Sequence, residues 1–105
     1  MRRVITFRPE MLDLVLKGRK TATVRPVNGS TYSDELVLTD GRRKVRAKLR
    51  AVRRLTLNDA ANYFREEGFM SREEFLSNIQ RIYSGLKNDD EVNLIEFEPK
   101  LNSDI

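Results

Sequence analysis

The sequence predicts an α+β fold: a small, mostly antiparallel sheet curved into a partly open barrel, with about three flanking helices. Three observations lead there. Most regular segments alternate apolar and polar residues, the period of a strand. Asp40–Gly41 between two such segments is a hairpin signal. The element order β-α-β-β-β-α-α-β leaves too few helices between strands for a doubly wound parallel sheet.

The elements follow in order. "RRVITFR" (Arg2–Arg8) alternates and is rich in β-branched residues, so it reads as the first strand. Pro9 suits the first turn of a helix, where its missing N–H costs nothing. Met11, Leu12, Leu14, Val15 and Leu16 supply its apolar positions, and Gly18 stops it. "TATVRPV" is a second strand ending near Pro26, and "NGSTYSD" is a polar loop. "ELVLT" is a short strand. The long strand "RRKVRAKLRAVRRLTL" puts Val45, Ala47, Leu49 and Ala51 on one side and Arg46, Lys48 and Arg50 on the other. Its pattern slips at Ala51–Val52, where a β-bulge would return Val52 and Leu55 to the core.

Thr56 or Asn58 caps a helix "LNDAANYFREE" that Gly68 terminates. Ser71 and Glu74 form a capping box for the next helix, whose face is Phe75, Leu76, Ile79, Ile82 and Tyr83. "VNLIEFEP" is the last strand, with Val92, Leu94 and Phe97 directed inward, and "LNSDI" is a frayed tail. With 105 residues and no linker or repeat, residues 1–105 are expected to form a single domain.

Composition narrows the chemistry. The chain has no Cys and no His, which removes thiolate chemistry, imidazole acid–base catalysis and the usual zinc site. No metal and no cofactor are expected. No apolar run approaches a membrane span, and the N-terminus lacks a signal-peptide core, so the expectation is a cytoplasmic protein that does not engage membranes. Net charge is +4, but unevenly placed. Residues 1–54 hold 15 Lys/Arg against 5 Asp/Glu, and residues 55–105 hold 5 against 11. That split is the footprint of a basic face for nucleic acid or another polyanion, or simply of solubility.

The segment "GRKTATVR" (Gly18–Arg25) concentrates polar chemistry at a helix end, a glycine turn and a strand start. Alternation puts Thr21, Thr23 and Arg25 on one side of the strand. Lys20 lies at the turn, where its flexible stem can reach over Thr23. Without Cys or His, a hydroxyl and an amine are the remaining nucleophile–base pair. The amine must lose its proton, and both burial and the neighbouring Arg19 and Arg25 favour that. The alternative is a solvated edge strand flanked by Lys20 and Arg25.

"GRKTATVR" also resembles the G-x-K-x-x-T-x-R signature of the ASCH domain, a family of the PUA-related superfamily. The opening "VITF", the helix before Gly18, "DELVLT", and "IQRIYSGLKNDDEVNLIEFEPK" all resemble the small single-domain members, and above all the N4-acetylcytidine amidohydrolases. The resemblance spans about Val4 to Pro99. It implies a small PUA-like barrel with helices around one opening. It also implies Lys20 as base and Thr23 as nucleophile in deacetylation of an acylated cytosine nucleoside. A glutamate completes that site in the family. Alignment on "IYSG" and Met70 puts Gly68 at its position, so either Glu67 takes the role through a one-residue shift or the acid is missing.

Arg25, closing the signature, is the candidate for holding a carbonyl, phosphate or carboxylate, or for a structural ion pair to Glu96 or Glu98. Thr21 and Arg19 are further candidate substrate contacts. The ladder Arg42, Arg43, Lys44, Arg46, Lys48, Arg50, Arg53 and Arg54 is a candidate RNA-binding surface or a solvated strand face. Aromatics are few, and Tyr32, Tyr63 and Phe7 do not form an RNA-recognition pattern. The resemblance implies a modified nucleoside or RNA as the partner. The reading is an amidohydrolase, with a non-catalytic RNA-binding module or a ribonuclease as alternatives.

Overall fold

A computed structural model describes residues 3–29 and 31–100. Arg2 and the tail 101–105, read above as strand and frayed end, lie outside the described residues. Five strands form one sheet: β1 (Arg3–Thr6), β2 (Ala22–Pro26), β3 (Glu35–Thr39), β4 (Lys44–Thr56) and β5 (Glu91–Pro99). Their spatial order is β1-β3-β4-β5-β2. Only β1 and β3 run parallel, and the other three pairings are antiparallel. The sheet curls into a half-barrel with β1 and β2 at its two edges. Arg25 on β2 reaches across the seam, its Nη2 donating to the Thr6 carbonyl at 2.8 Å.

The helices stop and start where their side chains require. α1 (Pro9–Leu16) begins on proline and ends in a full Schellman motif around Gly18, at φ 75°. Gly18 N–H donates to Val15 O and Arg19 N–H to Leu14 O. Thr56 caps α2 (Leu57–Ala60) by accepting from the Asp59 N–H. The expected helix through Glu67 is broken after one turn: a 3-10 turn covers Ala61–Tyr63, and irregular turns lead to Gly68. Ala60 and Ala61 are fully buried, so the chain coils tightly against the sheet there instead of presenting one helical stripe. Ser71 caps α3 (Arg72–Ile82) by accepting from Glu74 N–H, while Glu74 Oε1 accepts from Met70 N–H.

Two apolar clusters cover opposite faces of the sheet. Leu12 and Val15 of α1 pack on Ile5, Leu36, Leu38, Ile95 and Phe97. Phe75 and Ile79 of α3 pack on Ala22, Val24, Val92 and Leu94. β5 is thus buried on both sides, which is why Ile95 is as inaccessible as Leu94. The register shift in β4 lies between Leu49 and Ala51, one residue earlier than the pattern indicated. It brings Leu55 against the second cluster but leaves Val52 41% exposed, correcting the expectation for Val52. No helix among the described residues is long and apolar enough to cross a membrane.

Candidate active site at the open seam

The seam between β1 and β2 opens into a cavity of about 230 Å3 beside the C-terminal end of α3. Its floor is polar. Lys20, Thr23 and Glu67 all line it, and they are only 3%, 5% and 2% exposed. Buried lysine and glutamate side chains are rare without a reason, because each loses hydration in its charged form.

Local backbone geometry brings these residues together. The Schellman turn at Gly18 swings Lys20 back over α1, with Lys20 N–H donating to Leu14 O at 3.2 Å. The segment around Glu67 is pinned to the start of β2. Glu66 O accepts from the N–H groups of Thr21 (2.7 Å) and Ala22 (3.0 Å), and Glu67 O accepts from Lys20 Nζ at 2.8 Å. Gly68 ends this segment at φ 90°, donating to Arg65 O, while Phe69 N–H donates to Phe64 O. A Cβ at residue 68 would meet Leu14 Cδ1 at 2.9 Å. Gly68 is therefore the turn that aims Glu67 inward, and the acidic side chain in the cavity is Glu67. Its Oε2 is buried without a hydrogen-bond partner, a costly state that a ligand donor would relieve.

Electrostatics follow from burial. Desolvation lowers the Lys20 ammonium from 10.5 to about 8, with Arg25 adding to the shift and Glu67 opposing it. Desolvation likewise raises the Glu67 carboxyl to about 8, against the pull of Lys20 and the Val24 N–H. Both groups therefore exchange protons close to neutrality. Lys20 Nζ also lies 5.7 Å from the Phe7 ring centroid and 5.9 Å from that of Phe69. Thr23 Oγ1 accepts from Arg25 Nε at 3.3 Å, so the hydroxyl proton can point into the cavity.

The upper walls are apolar and aromatic, from Phe7, Met11, Phe69, Ile79 and Tyr83. Sequence reasoning assigned none of these to the site. Phe7 and Tyr83 lie within segments carrying the family resemblance, but nothing in a one-dimensional pattern distinguishes a cavity aromatic from a core one. The amine, hydroxyl and carboxyl with Arg25 are the groups brought together. Thr21 and Arg19 are not: both are exposed, and neither lines the cavity. Thr21 contributes its backbone, donating to Glu66 O and accepting from Phe97 N–H. Among the described residues no group of acidic side chains is arranged to hold a metal.

The basic ladder is split between the two faces of β4 and its hairpin, and none of its residues lines the cavity. Three are committed to carboxylates. Arg43 bridges Asp13 and Asp40, Arg50 pairs with Glu98 at 3.1 Å, and Arg53 pairs with Glu96 at 2.7 Å. Lys48 stands in register between Glu35 and Glu98. Arg42, Lys44, Arg46 and Arg54 are exposed as well, Arg54 on the opposite side of the strand from Arg53. The surplus of positive charge in residues 1–54 is thus partly met by acids that the second half carries on β5.

The fold defines a class: an α+β half-barrel, here with a charged pocket at its seam. More narrowly, the fold is that of ASCH domains. The chain superimposes on an ASCH domain from Lactobacillus crispatus with TM-score 0.76 at 14% identity, covering 93% of this chain and 79% of that one. It matches the S128A variant of an ASCH protein from Zymomonas mobilis with TM-score 0.69 at 17% identity, covering 93% and 70%. A hypothetical protein, PH0355, matches over 94% of this chain and 99% of its own, with TM-score 0.77 and 18% identity. No family model and no curated protein matches the sequence.

Proposed function

We propose that this protein is an amidohydrolase that removes the acyl group from N4-acetylcytidine or a related acylated pyrimidine nucleoside. The observation that carries this reading is the convergence of Lys20, Thr23 and Glu67, all nearly inaccessible, in one cavity. Thr23 Oγ attacks the acyl carbonyl while its proton passes to neutral Lys20 Nζ. Collapse of the tetrahedral intermediate releases the cytosine N4, which takes that proton. Water then hydrolyses the acyl–threonine ester, giving acetate and free Thr23. The low pKa of Lys20 makes the neutral amine accessible near pH 8.

Glu67 holds the position of Lys20 through its carbonyl and offers its carboxyl as a second proton carrier. Arg25 polarises Thr23 through Nε and is braced by Thr6, leaving Nη1 for a substrate oxygen. Phe7, Phe69 and Tyr83 provide flat apolar surfaces for a base. The β4 ladder supports an RNA-binding reading less well, because Arg43, Arg50 and Arg53 already hold carboxylates.

The test is direct. Purified protein with N4-acetylcytidine releases cytidine and acetate, and Lys20→Ala abolishes release with an unchanged circular dichroism spectrum. Absence of turnover by wild type, together with an RNA gel shift lost on neutralising Arg46, Lys48 and Arg50, would establish the binding module instead.

A further inference from the structure

A second hollow, of about 290 Å3, adjoins the first and shares Thr6, Arg25 and Tyr83 with it. The guanidinium of Arg25 is the partition: it stacks on Phe7, with Cζ 5.2 Å from the ring centroid, and lines both spaces. Beyond it the lining changes character. Arg3, Asn28 and Tyr32 replace the apolar wall of the first cavity, and Arg3 Cζ lies 5.4 Å from the Tyr32 ring centroid. Among the described residues two arginines and no acidic side chain line this hollow, a lining that suits an anion. Tyr32 and Tyr83 add hydroxyls suited to a sugar or a phosphate oxygen.

We infer that this second hollow binds the phosphorylated sugar of the substrate, so that the preferred ligand is an acylated cytidine nucleotide and not the bare nucleoside. The inference rests on the proposed function, in which the acylated base occupies the first cavity. The base then lies over Lys20 and Thr23, the ribose passes Arg25, and the phosphate sits between Arg25 and Arg3. Guanidinium groups suit this task because their planar forks pair with phosphate oxygens.

Calorimetric titration with cytidine and with cytidine 5′-monophosphate separates this inference from the catalytic one. The monophosphate is expected to bind about tenfold more tightly than cytidine, the effect of a hydrogen bond to a charged group. Arg3→Ala removes that preference and leaves cytidine affinity within about twofold of wild type. Asn28→Asp, a change in an exposed loop, lowers monophosphate affinity selectively by placing a negative charge in the hollow. Equal binding of the two ligands, or a preference indifferent to both variants, would overturn the inference even if deacetylation is brisk. A phosphate preference that both variants reduce, in a protein with no deacetylase activity, would uphold the hollow and sink the reaction. In turnover assays, N4-acetylcytidine 5′-monophosphate and a short oligonucleotide bearing one N4-acetylcytidine are compared with the nucleoside. Whichever exceeds it identifies the source of the phosphate, and neither exceeding it counts against the inference.

Discussion

Lys20 Nζ donates to the main-chain carbonyl of Glu67 at 2.8 Å, joining two residues 47 positions apart at the floor of one cavity. This contact holds the amine through a neutral acceptor, so the amine keeps its bond when it loses its charge. The carboxyl of Glu67 is left to the cavity.

Thr23 is the nucleophile in this scheme, and isosteric replacement tests it without opening space. Thr23→Val is expected to lower kcat for N4-acetylcytidine by about 100-fold or more, whereas Thr23→Ser keeps measurable turnover. Steady-state kinetics with unchanged thermal unfolding provides the check. Full activity in Thr23→Val would assign attack to water.

The rate should rise with pH as Lys20 releases its proton near pH 8. Glu67 raises the Lys20 pKa by its negative charge, so Glu67→Gln moves the rising limb of kcat/KM to lower pH. A shift to higher pH would contradict the electrostatic relation between the pair.

The same pair shapes stability. Glu67 has its pKa raised from 4.5 to about 8, so its favourable contribution is complete below pH 4.5 and declines as pH climbs to 8. Lys20 has its pKa lowered from 10.5 to about 8, so stability recovers between pH 8 and 10.5. Denaturant titrations across this range should show a minimum near pH 8 that Lys20→Met with Glu67→Gln flattens. A wild-type curve without that minimum would mean the two groups are not desolvated as described.

Gly68→Ala places a Cβ at φ 90° and 2.9 Å from Leu14 Cδ1. Strain and contact together should cost about 1–3 kcal/mol, and the displaced Glu67 should lower kcat as well. Urea unfolding and kinetics on one preparation check both effects. An alanine variant as stable and active as wild type would remove Gly68 from its positioning role.

Asp40 anchors the β3–β4 hairpin, its Oδ1 accepting from Arg42 and Arg43 N–H and its Oδ2 from the Arg43 side chain. These bonds lower its pKa from 3.8 to about 2. Its contribution is therefore present above pH 3.8 and lost as pH falls through 2. Asp40→Asn should be less stable than wild type at pH 6, with the difference shrinking toward pH 2 in thermal melts. A constant difference across that range would show that charge plays no part.

Local chemistry by itself determined much of this protein. Proline at residue 9, glycines at 18 and 68 and the Ser71–Glu74 box mark where the chain starts and stops turning. Such signals act within a few residues, through φ preference and satisfaction of nearby N–H groups. The alternation of β2 likewise put Thr23 and Arg25 on one side, and the structure keeps them hydrogen-bonded there. Only tertiary structure decided the rest. The stretch before Gly68 carries helix-forming residues, yet packing of Ala60 and Ala61 against the sheet unwinds it and turns Glu67 inward. Ladder arginines that alternate toward solvent meet glutamates of β5, a pairing set by strand order. Phe7, Phe69 and Tyr83 become cavity walls because a half-barrel leaves a gap between its edge strands. Burial and desolvation are properties of the whole surface, so the shifted protons of Lys20 and Glu67 exist only once distant segments close around them.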